Sequence, residues 1–239
     1  MAKPIKKKTI SVGRRVYETL RRQIVSLELP PGSALSENEL SAVLEVSRTP
    51  IREAILLLIQ DGLVQVFPKV GTFVSKVDPE AVAEAQFLRE AVEVASLRSL
   101  KYPLDSDAVG ALRDLLDRQD AASGDAAAFF VLDEQFHESL MTLAGHRGLW
   151  ATVSQAKAHL DRARRLGLRL VSSLSRLAAD HRAVLDAVIV GDLDRAEARL
   201  RQHLSVVFSE VDEIRATSPE LFVSDVPTVP VRRSVAVWE

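Results

Sequence analysis

Pro50 constrains this chain more than any other residue. Proline lacks a backbone N–H and is tolerated in a helix only within the first turn. The apolar residues Ile51, Ala54, Ile55, Leu58 and Ile59 follow it at helical spacing. A helix must therefore begin within a residue or two of Ser47-Arg48-Thr49-Pro50, with Ser47 as its expected N-cap, its hydroxyl accepting from an orphan N–H. The spacing predicts that the five apolar residues face a core. Arg48 and Arg52, four apart, lie near each other on the surface of the same helix. Such a helix can lie in a DNA major groove with its arginines on guanine edges or phosphates. An ordinary amphipathic helix with solvated arginines reads the same way, so the flanking sequence has to decide.

Upstream, Val16, Leu20, Ile24 and Leu27 mark one face of an earlier helix, which Leu29-Pro30-Pro31-Gly32-Ser33 breaks as a turn. Ser36-Glu37-Asn38-Glu39 has the form of a capping box and opens a short helix running through Leu44. Two short helices joined by a tight turn make a helix-turn-helix. Downstream, Asp61-Gly62 closes the arginine helix. The runs 63–67 and 72–75 then read as a β-hairpin about Pro68-Lys69-Val70-Gly71, a wing whose tip offers Lys69 and a glycine able to approach a phosphate backbone.

Residues 14–76 resemble the winged-helix DNA-binding domain of the GntR family of bacterial transcription regulators. The likeness rests on Leu29-Pro30-Pro31-Gly32-Ser33, Leu35-Ser36-Glu37, Val46-Ser47-Arg48-Thr49-Pro50-Ile51-Arg52-Glu53-Ala54, Asp61-Gly62-Leu63-Val64 and Gly71-Thr72-Phe73-Val74. It implies that Arg48 and Arg52 contact operator DNA, with Ser47, Thr49, Lys69 and Gly71 assisting. Asn38 departs from the family, which often has arginine there; asparagine can still bond a phosphate or a base, without the charge.

Charge supports a two-part chain. Residues 1–78 carry 12 Lys and Arg against 8 Asp and Glu, whereas 79–239 carry 19 against 25. A basic module beside an acidic one fits a DNA reader joined to something that is not one. There is no cysteine, which excludes disulfides and thiolate metal sites. No apolar run suffices to span a bilayer, and the lysines at 3 and 6–8 lack the hydrophobic stretch of a signal peptide. The expectation is a cytoplasmic chain with no membrane partner. Its predicted organisation is a basic arm (1–13), a winged helix (14–76), a linker (77–79), an all-helical domain (80–215) and a loose tail (216–239).

Beyond the linker the pattern is helical throughout, with helices expected at 79–101, 105–121, 125–144, 147–170, 174–190 and 193–215. The fold class is thus mostly α: a winged helix-turn-helix followed by an antiparallel helical bundle. Asp133 and His137, four apart, point to the same side of one helix. His181 and His203 flank the Gly191-Asp192 turn at similar distances and stand at similar heights in a hairpin rising about 1.5 Å per residue. One carboxylate and three imidazoles suit a divalent metal of the zinc, nickel or manganese kind. Spacing alone favours separate hydrogen-bonded core histidines over a metal site.

Residues 80–215 resemble the FCD-type effector domain of the FadR subfamily, through Leu88-Arg89-Glu90-Ala91-Val92-Glu93, Asp133-Glu134-Gln135-Phe136-His137, Asp180-His181-Arg182 and Arg201-Gln202-His203-Leu204. The resemblance implies a metal, zinc first, held by Asp133, His137, His181 and His203. It also implies a small carboxylate effector near Arg89, although a salt bridge from Arg89 to Glu93 is an open alternative. His146 and His159 match no ligand position. Of the arginine cluster at 162, 164, 165 and 169, one member is expected to reach the cavity. The functional expectation is a non-enzymatic, ligand-responsive regulator, in the repressing mode, binding a palindromic operator as a homodimer. A metal sensor is the alternative, and a metal-dependent hydrolase or oxygenase a remote one.

Overall fold

The structure, a computed structural model, describes residues 11–170 and 173–224, the side chains of 168–170 excepted. The basic arm to residue 10, the tail beyond 224 with Trp238, and the Arg169 side chain lie outside the described residues. The chain divides into two compact units, one ending at Lys76 and the other spanning Val77–Phe222.

In the first unit, α1 (Val12–Val25) buries Val16, Tyr17, Leu20 and Ile24. The turn residue Leu27, expected on that face, lies beyond the helix with φ 66°. Helix α2 (Glu37–Val43) starts at Ser36, whose hydroxyl accepts from Glu39 N at 3.4 Å. Helix α3 (Arg48–Gln60) buries Ile51, Ala54, Ile55 and Leu58. Ile59 is a correction: it is 36% exposed, because the contact face of α3 is only as wide as the helices against it. Ser47 has the extended backbone of an N-cap, but its side chain makes no cap hydrogen bond. The first turn of α3 therefore keeps its amide donors unclaimed by that hydroxyl.

Strands β2 (Val64–Phe67) and β3 (Gly71–Val74) form the wing, Val64 pairing with Val74 and Phe67 with Gly71. The tight turn between them takes positive φ at Lys69 (65°) as well as at Gly71 (151°). A two-residue strand, β1 (Ala34–Leu35), pairs antiparallel with the other edge of β3. Sequence reading missed it because two residues are too short to show alternation.

The second unit is all helical: α4 (Pro79–Arg98), α5 (Ser106–Ala121), α6 (Ala126–Leu143), α7 (Arg147–Ala156), α8 (Ala158–Leu170), α9 (Leu174–Ile189) and α10 (Leu193–Thr217). Aspartates 78, 105, 125 and 192 each cap a helix by accepting from backbone N–H groups. One core cluster joins Val94 and Leu97 of α4, Leu112, Leu115 and Leu116 of α5, Phe136 and Leu140 of α6, Val184 and Val188 of α9, and Leu200 and Leu204 of α10.

Three boundaries differ from expectation. The predicted helix 147–170 is interrupted at Lys157, whose side chain is drawn inward to carboxylates of Glu134 and Asp161 (2.6 Å to the latter). The predicted linker is structural: Val77 is fully buried, its N–H donates to Leu221 O at 2.9 Å, and Asp78 and Pro79 start α4. The expected tail begins inside α10, and a short 3-10 turn, Pro219–Leu221, then leads to Phe222, which is buried. No helix among the described residues is long and apolar enough to cross a membrane.

Candidate functional site

The first site is the surface around the start of α3. Ser47, Arg48, Thr49 and Arg52 are exposed there, as are Asn38 on α2 and Lys69 and Gly71 at the hairpin tip. Burial of Ile51, Ala54, Ile55 and Leu58 fixes the rotation of α3 and so turns its arginines outward. Arg52 Nε donates to Glu37 Oε2 at 2.8 Å. The Arg52 side chain remains 63% exposed, so the contact orients it more than it occupies it. Arg48 makes no ion pair among the described residues. This surface offers guanidinium groups, an amide, hydroxyls and a helix N-terminus, the inventory that contacts phosphates and base edges.

The second site lies inside the bundle. Asp133 and His137 reach it from α6, His181 from α9 and His203 from α10. One ligand atom from each lies within 4.8 Å of all the others. Asp133, His137 and His181 are fully buried and His203 is 5% exposed. His181 Nε2 and His203 Nε2 are 2.9 Å apart, so the hairpin reading of their heights holds. Phe136 stacks on His181 with ring centroids 4.2 Å apart and closes that side to water.

The surroundings orient the donors. Glu93 Oε2 accepts from His137 Nδ1 at 2.7 Å, and Gln119 Oε1 accepts from His181 Nδ1 at 2.8 Å. Each bond leaves the opposite ring nitrogen, Nε2, with its lone pair turned inward. Asp133 Oδ1 and His137 Nε2 are buried without a hydrogen-bond partner among the described residues. Buried polar atoms are rarely left so, since each costs about 1–3 kcal/mol. Ligand distances of about 2.0–2.2 Å would let one ion nearly span the four donors. The residues therefore fit a divalent metal: an oxygen and nitrogen donor set, inward lone pairs and orphaned atoms at one point.

The electrostatics agree. Burial pushes His181 and His203 well below the usual imidazole range, so both are held neutral, the form that ligates. Burial would raise Glu93, but His137 and Arg89 beside it outweigh that and hold it at about 2. Asp133 is likewise kept well below the ordinary carboxylate range against its burial, chiefly by the Arg164 guanidinium.

Arg89 is buried, and its Nε donates to Glu93 Oε1 at 2.7 Å, the salt bridge foreseen as one alternative. It also lines a cavity with Arg164, Leu177, His203, Leu204, Val206, Val207 and Glu210. Arg89 Nη2 is buried without a hydrogen-bond partner among the described residues. Among the described members of the arginine cluster, Arg164 lines the cavity, and it also pairs with Asp133 Oδ2 and with Glu134 (3.1 Å). His146 and His159 stand apart from the metal group: His146 Nε2 meets Ser99 Oγ at 2.8 Å, and His159 Nδ1 accepts from Asp78 N at 3.2 Å. Sequence reasoning missed Gln119 and the bond of Glu93 to His137. Neither partner shares a helix with the histidine it orients, so no spacing reveals them.

Comparison with known proteins agrees with both halves. Residues 13–74 match the family of bacterial regulatory proteins called the gntR family, and residues 84–206 match the FCD domain. A regulator from Streptomyces ambofaciens, described as an HTH-type transcriptional regulator in an unstable DNA locus, is 56% identical over 95% of this chain and 96% of its own length. The HTH-type transcriptional repressor RspR of Escherichia coli K12 is 33% identical, covering 90% of this chain and 95% of its own. Among solved structures, E. coli McbR/YncC superposes with a TM-score of 0.71 at 18% identity, over 86% of this chain and 99% of that one, a likeness of fold. A winged helix that exposes its arginines, an FCD bundle behind it and relatives matched along nearly their whole length make this chain a member of the GntR family of transcriptional regulators, a DNA-binding protein and not an enzyme.

Proposed function

We propose that this regulator is a homodimeric repressor whose grip on a palindromic operator is set by a small carboxylate bound beside a metal in the helical unit. Operator contact falls to Arg48, Arg52 and Thr49, aided by Ser47, Asn38, Lys69 and Gly71. The metal, zinc first among zinc, nickel and manganese, is held by Asp133, His137, His181 and His203. When bound, it would offer open coordination positions to an acid. Arg89 would take the acid's other oxygen, its free Nη2 forming a charge-assisted bond. The observation that carries this reading is the burial of four residues that each bring a ligand atom within 4.8 Å of the others, with Asp133 Oδ1 and His137 Nε2 lacking hydrogen-bond partners among the described residues. Two-fold symmetry of the protein would match two half-sites on DNA, and the repressing mode is supported by the likeness to RspR.

The test is a gel shift on the region upstream of the protein's own gene. Binding is expected from the wild type and lost in Arg48→Ala and Arg52→Ala. Titrating organic acids at constant metal is expected to release the DNA. Release by metal changes alone, with no acid effective, would favour a metal sensor, a reading the four-ligand set also supports because four protein donors can close a tetrahedral site.

A further inference from the structure

We propose that Glu93 is a positioning residue that couples the cavity guanidinium of Arg89 to the metal ligand His137, so that occupancy of one is felt at the other. This rests on the metal reading above and goes beyond it. One carboxylate serves both partners: Oε1 accepts from Arg89 Nε at 2.7 Å and Oε2 accepts from His137 Nδ1 at 2.7 Å. All three side chains are at most 2% exposed, so no water competes for either oxygen. Residues 89 and 93 are one helical turn apart on α4, while His137 comes from α6, so the bridge also ties two helices together.

The physical argument concerns charge in a dry site. A carboxylate on Nδ1–H makes the far nitrogen, Nε2, a stronger donor to a cation. How strongly Glu93 acts on His137 depends on how much of its charge Arg89 neutralises. An anion on the unpartnered Nη2 of Arg89 would draw that guanidinium's field away from Glu93. His137 would then face a fuller negative charge and hold a metal more tightly. By linkage, the metal would favour the anion equally. Arg89 itself is not among the four grouped metal-binding residues. The charge of Arg89 also reaches the site directly through space, and Arg89→Lys retains that charge, so what this variant changes in the absence of acid is chiefly the bond to Glu93.

The experiment is a cycle of Co2+ affinities on the full-length chain without added acid, using wild type, Glu93→Gln, Arg89→Lys and the double variant. Visible absorbance of the bound ion reports coordination, and far-ultraviolet dichroism checks folding. Glu93→Gln is expected to weaken Co2+ by about 10–100-fold, as for other partners of ligating histidines, and to shift its absorption bands. Arg89→Lys is expected to change Co2+ affinity several-fold when Glu93 is present and not at all in the Glu93→Gln background. An equal effect of Arg89→Lys in both backgrounds, or none in either, overturns the coupling while leaving the metal site standing. A wild-type chain that takes up no Co2+ overturns the metal reading and the coupling with it. Should Glu93→Gln not fold, Glu93→Asp replaces it in the same cycle with the same expectation, since the shorter side chain cannot hold both partners.

Discussion

His181 and His203 bring their Nε2 atoms to 2.9 Å across the last two helices of the bundle, with Gln119 accepting from the far nitrogen of His181. With Nδ1 of His181 carrying the proton, its Nε2 presents a lone pair to the same space as His203, His137 and Asp133. A cation resolves that crowding of lone pairs better than a single shared proton. Removing His181 should therefore empty the site: His181→Ala, measured by elemental analysis of purified protein, is expected to lose its stoichiometric metal. Metal content equal to wild type would remove His181 from the ligand set.

Metal binding to the folded chain should also appear as stability. A ligand present at about 100 times its Kd stabilises the native state by about 2.7 kcal/mol. Dialysis against a chelator is expected to lower the thermal midpoint, and zinc to restore it. The midpoint of His203→Ala should respond to neither.

The metal-free protein should lose stability in acid with a definite sign. His181 and His203 have folded-state pKa values depressed by burial, so the folded chain keeps them neutral. Unfolded imidazoles take up protons below about 6.5. Above that pH the two histidines add no pH dependence; below it the unfolded state binds more protons and stability falls, by up to about 1.4 kcal/mol per pH unit for each group. Melting curves of chelated protein between pH 8 and 5 measure this, and a midpoint that rises on acidification would contradict it.

On the DNA side, the residues should separate by role. Loss of a base contact by Arg48→Ala or Arg52→Ala is expected to cost about 1–3 kcal/mol and to relax sequence preference. Lys69→Ala at the wing tip should weaken all sequences alike and reduce the salt slope by about one. Competition binding at several salt concentrations distinguishes the patterns.

Capping offers a clean contrast in stability. Asp125 accepts from Ala127 N and Ala128 N, each at 3.0 Å, whereas the Ser47 side chain makes no cap bond. Asp125→Ala should destabilise by about 1 kcal/mol in chemical denaturation. Ser47→Ala should leave stability within about 0.5 kcal/mol, as for surface positions in general, and any effect of it should fall on DNA affinity.

The helix-turn-helix, the wing and the helical bundle were legible because each is written locally. Pro50, Gly62 and the Ser36 cap mark helix ends whatever surrounds them, and the i, i+4 spacing of Asp133 and His137 sets them on one side of α6. The likeness of His181 and His203 in height followed from rise per residue alone. What spacing left open was whether the three histidines met at all, because that depends on how α6, α9 and α10 rotate about their own axes. The packing of Phe136, Val184, Leu200 and Leu204 fixes those rotations and turns all three rings to one point. The same packing brings Glu93 to His137 and Gln119 to His181, pairs 44 and 62 residues apart. It also draws Lys157 inward, breaking a helix whose own sequence gives no reason to stop. Local sequence thus determined the elements and the chemistry each carries. Only the tertiary structure decided which side chains share a dry interior, because burial and hydrogen bonding between distant helices are properties of their packing.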